Sequence, residues 1–95
     1  MKMYLISYVL KTPGRNYTKL FEVLKSTPKW SHYLDSTWII MSAEDIKTLS
    51  SRIKNELDDK DFFIITEFSK NTKFQGWLPA KAWDWLRENQ ATLEE

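Results

Sequence analysis

His32 and Asp35 are the residues of this chain best suited to chemistry. They are its only histidine and a carboxylate three positions on, inside Trp30–Met41, Trp-Ser-His-Tyr-Leu-Asp-Ser-Thr-Trp-Ile-Ile-Met. An imidazole and a carboxylate side by side could serve jointly as metal ligands. Strand residues three apart face opposite sides, so a shared role requires a bend between them. Without one, Asp35 caps backbone amides at a turn and His32 bonds locally. Ser7, Ser31, Ser36 and Thr37 offer hydroxyls near the histidine, but no nucleophile-elbow glycines surround them. Hydroxyls in strands usually satisfy backbone groups. Asp58, Asp59 and Asp61 have only a loose likeness to a calcium loop, which leaves a solvated turn as the simpler expectation. Lys11, Arg15 and Lys19 offer binding rather than catalysis. They gather at a loop and helix start, where free amides near Asn16 would assist in holding phosphate, and Tyr8, Tyr17 or Trp30 could supply a stacking face.

The elements that must position these groups follow from the hydrophobic spacing. Met3–Leu10 is rich in Tyr, Ile and Val and apolar on both alternating faces, which predicts a central strand. Lys11–Asn16 holds Pro13 and Gly14 and reads as a loop, with Asn16 as N-cap of a helix over Tyr17–Ser26. Its stripe is Tyr17, Leu20, Phe21 and Leu24, and Thr27-Pro28 stops it. Trp30–Met41 is long for one strand and divides at the turn-prone pair Asp35-Ser36. Alternation places His32, Leu34, Ser36, Trp38 and Ile40 on one face, and Tyr33, Asp35, Thr37, Ile39 and Met41 on the other. Ser42–Asp45 signals the start of a second helix over Ala43–Leu57, striped by Ile46, Leu49, Ile53 and Leu57. Phe62–Phe68 is a further strand, and Phe74–Leu78 a short edge strand weakened by Gly76. Pro79 opens a last helix over Ala80–Asn89, and residues 90–95 form a fraying tail.

The order β-α-β-β-α-β, with a short strand and helix appended, predicts one α+β domain over 1–95. Its expected form is a ferredoxin-like sandwich carrying both helices on one face of an antiparallel sheet. The other face needs a cover, because Tyr8, Tyr33, Trp38 and Phe63 are too apolar to leave in water. A second subunit and the C-terminal helix with Trp83 and Trp85 are the two candidates. At helical spacing Trp83 and Trp85 project to opposite sides, which hints at an intermolecular contact. Tyr8, Trp38, Trp77 and Trp85 are therefore the expected interface residues.

Composition narrows the setting. A 95-residue chain with 42% hydrophobic residues and five Trp supports one compact core, helped in so small a domain by oligomerisation. The absence of Cys rules out disulfides, thiolate metal sites and Cys nucleophiles, and suits a reducing cytoplasm. The apolar run Tyr4–Leu10 is too short to span a membrane and has no small-residue cleavage site after it. Net charge is +1, which favours no partner, yet Lys11, Arg15, Lys19, Lys25 and Lys29 face only Glu22 in their stretch. That asymmetry either steers an anionic ligand or forms a solvated face.

Several runs carry a resemblance: Tyr4-Leu-Ile-Ser-Tyr8, Pro13-Gly14, His32-Tyr-Leu-Asp-Ser-Thr-Trp38, Trp77-Leu-Pro, and Lys81-Ala-Trp-Asp-Trp-Leu86. Together they resemble small bacterial proteins named SinR-family. Those are in turn similar to the small CRISPR spacer-acquisition subunit and to virulence-associated protein D. The resemblance implies a ferredoxin-like homodimer on a scaffold used by metal-dependent nucleases and ribonuclease toxins. It also implies a metal-binding aspartate at the end of the first strand, in the pattern Ser-Tyr-Asp-Leu. This chain reads Ser7-Tyr8-Val9-Leu10, and valine offers a hard cation no oxygen. The name SinR further implies a helix-turn-helix regulator, for which the chain shows no pattern.

The expectation is therefore a non-catalytic homodimeric binding module for nucleic acid or a protein partner, cytoplasmic, with no cofactor, metal site or membrane. The alternative is a metal-dependent nuclease or toxin–antitoxin component using relocated carboxylates, Asp35 foremost with His32, in which case magnesium or manganese is needed.

Overall fold

A computed structural model describes residues 1–94. Four strands and three helices follow the order β1 (Lys2–Val9), α1 (Thr18–Lys25), β2 (Lys29–Leu34), β3 (Thr37–Ser42), α2 (Ile46–Lys54), β4 (Phe62–Phe68), α3 (Ala80–Gln90). The strands form one sheet in the order β2-β3-β1-β4, and each neighbouring pair is antiparallel. The architecture is mixed α+β.

Side-chain alternation explains the layers. Even-numbered residues of β1 (Tyr4, Ile6, Tyr8) share a face with Trp38 and Ile40 of β3 and meet Leu20 and Leu24 of α1 and Leu49 and Ile53 of α2. Odd-numbered Met3 and Met41 face the other way and pack with Leu86 of α3 and Leu93 beyond it. The central strand is thus buried on both sides, as its unbroken apolar run requires.

Local signals set the helix ends. The Asp45 carboxylate caps α2 by accepting from Thr48 N–H at 2.8 Å. Asn16 lies one residue before the α1 cap position, Tyr17, and its side-chain oxygen accepts from Thr18 N–H at 2.8 Å. Both helices are shorter than their apolar stripes, yet Tyr17 and Leu57, just outside them, still pack on the core.

Several expectations change here. Phe74–Leu78 forms no strand. Phe74 instead meets Phe68 edge-on at 4.8 Å, and the loop just before it is held by the Gln90 amide, which donates to the carbonyls of Ser69 (3.2 Å) and Thr72 (2.7 Å). The tail does not fray through the described residues. Backbone N–H groups of Ala91, Thr92 and Leu93 donate to Arg87, Asn89 and Gln90, and Leu93 is buried under the sheet; Glu95 lies outside the described residues. Trp83 and Trp85 both pack into the second core, so their opposed directions need no second molecule. Trp83 lies beneath the Gly76 backbone, where an added Cβ would stand 3.9 Å from its ring, while Trp85 turns toward β2. Tyr8, Trp38 and Phe63 are not on the second sheet face. Tyr8 and Trp38 are buried beneath the helices, which removes them as interface residues. Alternation sorts residues into two sets but does not say which set the helices cover. No helix of the described residues is long and apolar enough to cross a membrane.

Candidate functional site

The Trp30–Met41 hairpin closes on a hydrogen-bonded turn. The Trp38 indole N–H donates to the Tyr8 hydroxyl at 3.0 Å, and that hydroxyl donates to the Asp35 carbonyl at 3.3 Å. His32 Nε2 lies 3.1 Å from the same carbonyl; a carbonyl only accepts, so this nitrogen carries the proton. The adjoining Ser36 carbonyl accepts from Tyr8 N–H at 3.0 Å. Burial holds the Tyr8 hydroxyl above the ordinary phenol pKa, against the opposing pull of the Trp38 bond. Trp38 is the centre of an aromatic stack, with the His32 ring 3.9 Å away at 14°, Phe21 at 6.2 Å and 17°, and Trp30 tilted at 5.3 Å.

This geometry gives His32 and Asp35 structural work. Asp35 contributes its backbone carbonyl to the turn, and the bond to His32 is to that carbonyl rather than to the carboxylate. Among the described residues, no group of three or more His, Asp or Glu side chains converges as metal ligands would. The hydroxyls do not combine with His32 either. Ser7 and Thr37 pair with each other at 3.2 Å, across the sheet from the histidine's stack.

A bulge refines the hairpin. Trp30 pairs with Ile40 and Ser31 with Ile39, but Leu34 pairs with Thr37, so the register slips by one between Ser31 and Leu34. Leu34 therefore leaves the His32 face, where strict alternation placed it, and joins Tyr33 on the α3 side of the sheet. There a small cavity of about 60 Å³ lies among Leu5, Ile39, Leu78 and Trp85, well short of an ordinary ligand pocket.

The Lys11, Arg15 and Lys19 group meets acids rather than open solvent alone. Asp61, expected in a solvated turn, is buried at 8% exposure. Its carboxylate accepts from Lys11 N–H (2.7 Å), Asp58 N–H (2.8 Å) and the Tyr17 hydroxyl (2.8 Å). Burial pushes its pKa up, but these bonds and the Arg15 charge outweigh it and leave the group below its ordinary value. Arg15 reaches Asp58 at 3.8 Å and donates to the Glu56 carbonyl at 3.3 Å, and the Lys11 ammonium stands 5.3 Å from the centre of the Phe62 ring. Lys19 is exposed on α1. The β1–α1 loop is thus tied to the α2–β4 turn, and of the three cations Arg15 alone is ion-paired. A carboxylate immediately before an apolar strand was the one sequence signal for this junction.

Two surfaces remain uncommitted. On the second sheet face, beyond the part covered by α3, Val9, Phe62 and Ile64 are 50%, 62% and 63% exposed. They flank Ser7 around one shallow depression. Trp77, in the segment leading to α3, is 98% exposed and rests on nothing in its own chain. The other surface is a groove of about 430 Å³ at β2, an edge strand of the sheet, lined by Trp30, Ser31, His32, Tyr33, Lys81 and Trp85. Sequence reasoning missed this groove because Lys81 and Trp85 reach it only when α3 packs beside β2.

No protein-family model, curated protein or solved structure matches this chain.

Proposed function

We propose that the chain is a non-catalytic binding module that works as a homodimer, in the reducing cytoplasm to which its lack of cysteine is suited. The observation that carries this reading is the bare apolar patch of Val9, Phe62 and Ile64 beside α3. Large exposed apolar side chains grouped on one sheet face mark an association surface. A second copy is the favoured cover because the residues around the depression on this face (Ser7, Val9, Phe62, Ile64) carry no charge. A two-fold contact sets each patch against its own image, so a neutral centre avoids like-charge repulsion. Trp77, 98% exposed and preceding α3, is a further aromatic side chain open to such a contact.

The scaffold reading belongs to the same proposal. The strand order β2-β3-β1-β4, with α1 and α2 packed on one face, supports a ferredoxin-like arrangement. That arrangement agrees with the resemblance to small CRISPR-associated and toxin nucleases. Val9, in the place of their metal-binding aspartate, is one of the exposed patch residues, which favours association over cleavage. The nuclease alternative gains no specific observation.

The test is the mass in solution by light scattering at micromolar concentration, for the parent and for the double substitution Phe62→Glu with Ile64→Glu. A dimer that becomes a folded monomer in the variant supports the proposal, and a monomeric parent overturns it.

A further inference from the structure

We propose that the β2 edge is a docking site for a short acidic segment of a partner protein, added to the sheet as an extended strand. This site lies apart from the Val9–Phe62–Ile64 patch and does not depend on self-association.

The first observation is the edge itself. β2 pairs only with β3, and an edge strand turns a row of backbone N–H and C=O groups outward. Such a row is a template for an added strand. Regular pairing covers Lys29–Ser31 before the bulge interrupts it, so the segment that fits is short.

The second observation is the lining. Trp30 and His32 flank the edge on the α1 side and Tyr33 and Trp85 on the α3 side. Trp30 and Tyr33 are 40% and 48% exposed although apolar contacts lie beside them. Successive side chains of an extended partner point to opposite faces of the sheet, and each would meet an aromatic surface here.

The third observation is charge. Lys81 lines the groove, Lys29 is exposed on the strand, and the Lys25 ammonium stands 5.7 Å from the Trp30 ring centre. No lining residue is acidic, and the nearby Asp84 is held by Arg87 at 2.9 Å. Lysine on an edge strand ordinarily discourages pairing with another edge. An acidic segment turns that guard into an attraction. A second copy of this chain does not fit, because joining two β2 edges would double the lysine charge along one seam. The occupant is therefore another protein's acidic, extended segment.

The test uses the full chain and a fluorescein-labelled peptide alternating Glu and Val, with binding read by anisotropy. Expected is saturable binding that weakens with salt and is absent for the Lys–Val counterpart. Charge reversal at Lys81→Glu weakens it by about tenfold, and Lys25→Glu does likewise, with circular dichroism confirming that each variant is folded. N-methylating the peptide on its Glu residues or on its Val residues separates strand addition from simple ion pairing. Only alternate amides of an added strand face the protein, so one methylated set should lose binding and the other retain it. Three results would overturn the proposal: no binding by the acidic peptide, equal binding by both methylated sets, or displacement of the peptide by oligothymidylate as the tighter ligand. The last would make the aromatic and lysine groove a single-stranded nucleic-acid site instead.

Discussion

Replacing Tyr8 with Phe is expected to destabilise the fold by about 1–3 kcal/mol, the cost of stranding a buried donor. The donor is the Trp38 indole N–H, inside a residue only 1% exposed, whose partner is the Tyr8 hydroxyl 3.0 Å away. Phe keeps the ring and its packing against Phe21, so no cavity forms and the hydrogen bond is the main loss. The Asp35 carbonyl loses a long 3.3 Å bond but keeps His32 and lies at an exposed turn. Asp35→Ala is the matched control. Only the backbone of Asp35 serves the network, so this change should stay within about 0.5 kcal/mol of the parent. Urea unfolding followed by tryptophan fluorescence measures both, with the slope on denaturant unchanged. In a domain of this size the Tyr8→Phe loss corresponds to a melting point lower by roughly 4–8 °C per kcal/mol. A Tyr8→Phe protein as stable as the parent would refute the network's structural role. So would an Asp35→Ala protein less stable than Tyr8→Phe, because the carboxylate would then carry the weight assigned to the carbonyl.

Asp61 has its carboxyl pKa lowered by folding, so the unfolded chain binds the proton more tightly and stability must fall as the pH drops through the carboxylate range. Asp61→Asn should lower the urea midpoint at neutral pH, and the gap to the parent should close on acidification; a gap that widens contradicts the Asp61 bonding. Leu86→Ala, at a site 3% exposed between α3 and the sheet, is expected to cost about 2–5 kcal/mol in the same assay. Ending the chain after Gln90 removes Leu93 from the cluster with Met3 and Met41, and a lowered melting temperature in calorimetry would register it. An unchanged melting temperature would restore the frayed-tail expectation.

Much of the local structure was legible in the residues. β4 spans Phe62–Phe68 as its apolar run indicated, and the turn falls at Asp35-Ser36, the only turn-prone pair in the hairpin segment. The role of Pro79 before α3 follows the same local chemistry, whereas α2 starts at Ile46 behind an Asp45 cap rather than at the expected Ala43. The candidate site was less legible. His32 and Asp35 stand out by residue type, but type does not say whether a residue acts through its side chain or its carbonyl. Nor does a basic run such as Lys11–Lys19 show that the distant acidic turn at Asp58–Asp61 folds against it.

Residue type and spacing alone determined the order of the first six elements and the two apolar sets of β1. These are short-range properties, set by backbone preference and by a two- or 3.6-residue repeat. Only the tertiary structure decided which of the two sets lies beneath α1 and α2. That choice buries Tyr8 and Trp38 and leaves Phe62 and Ile64 bare. The register slip at Ser31–Leu34 and the placement of Lys81 and Trp85 beside β2 are likewise tertiary. The physical reason is common to all of them. A strand with two apolar faces costs the same locally in either orientation, and only contacts between distant segments tell them apart.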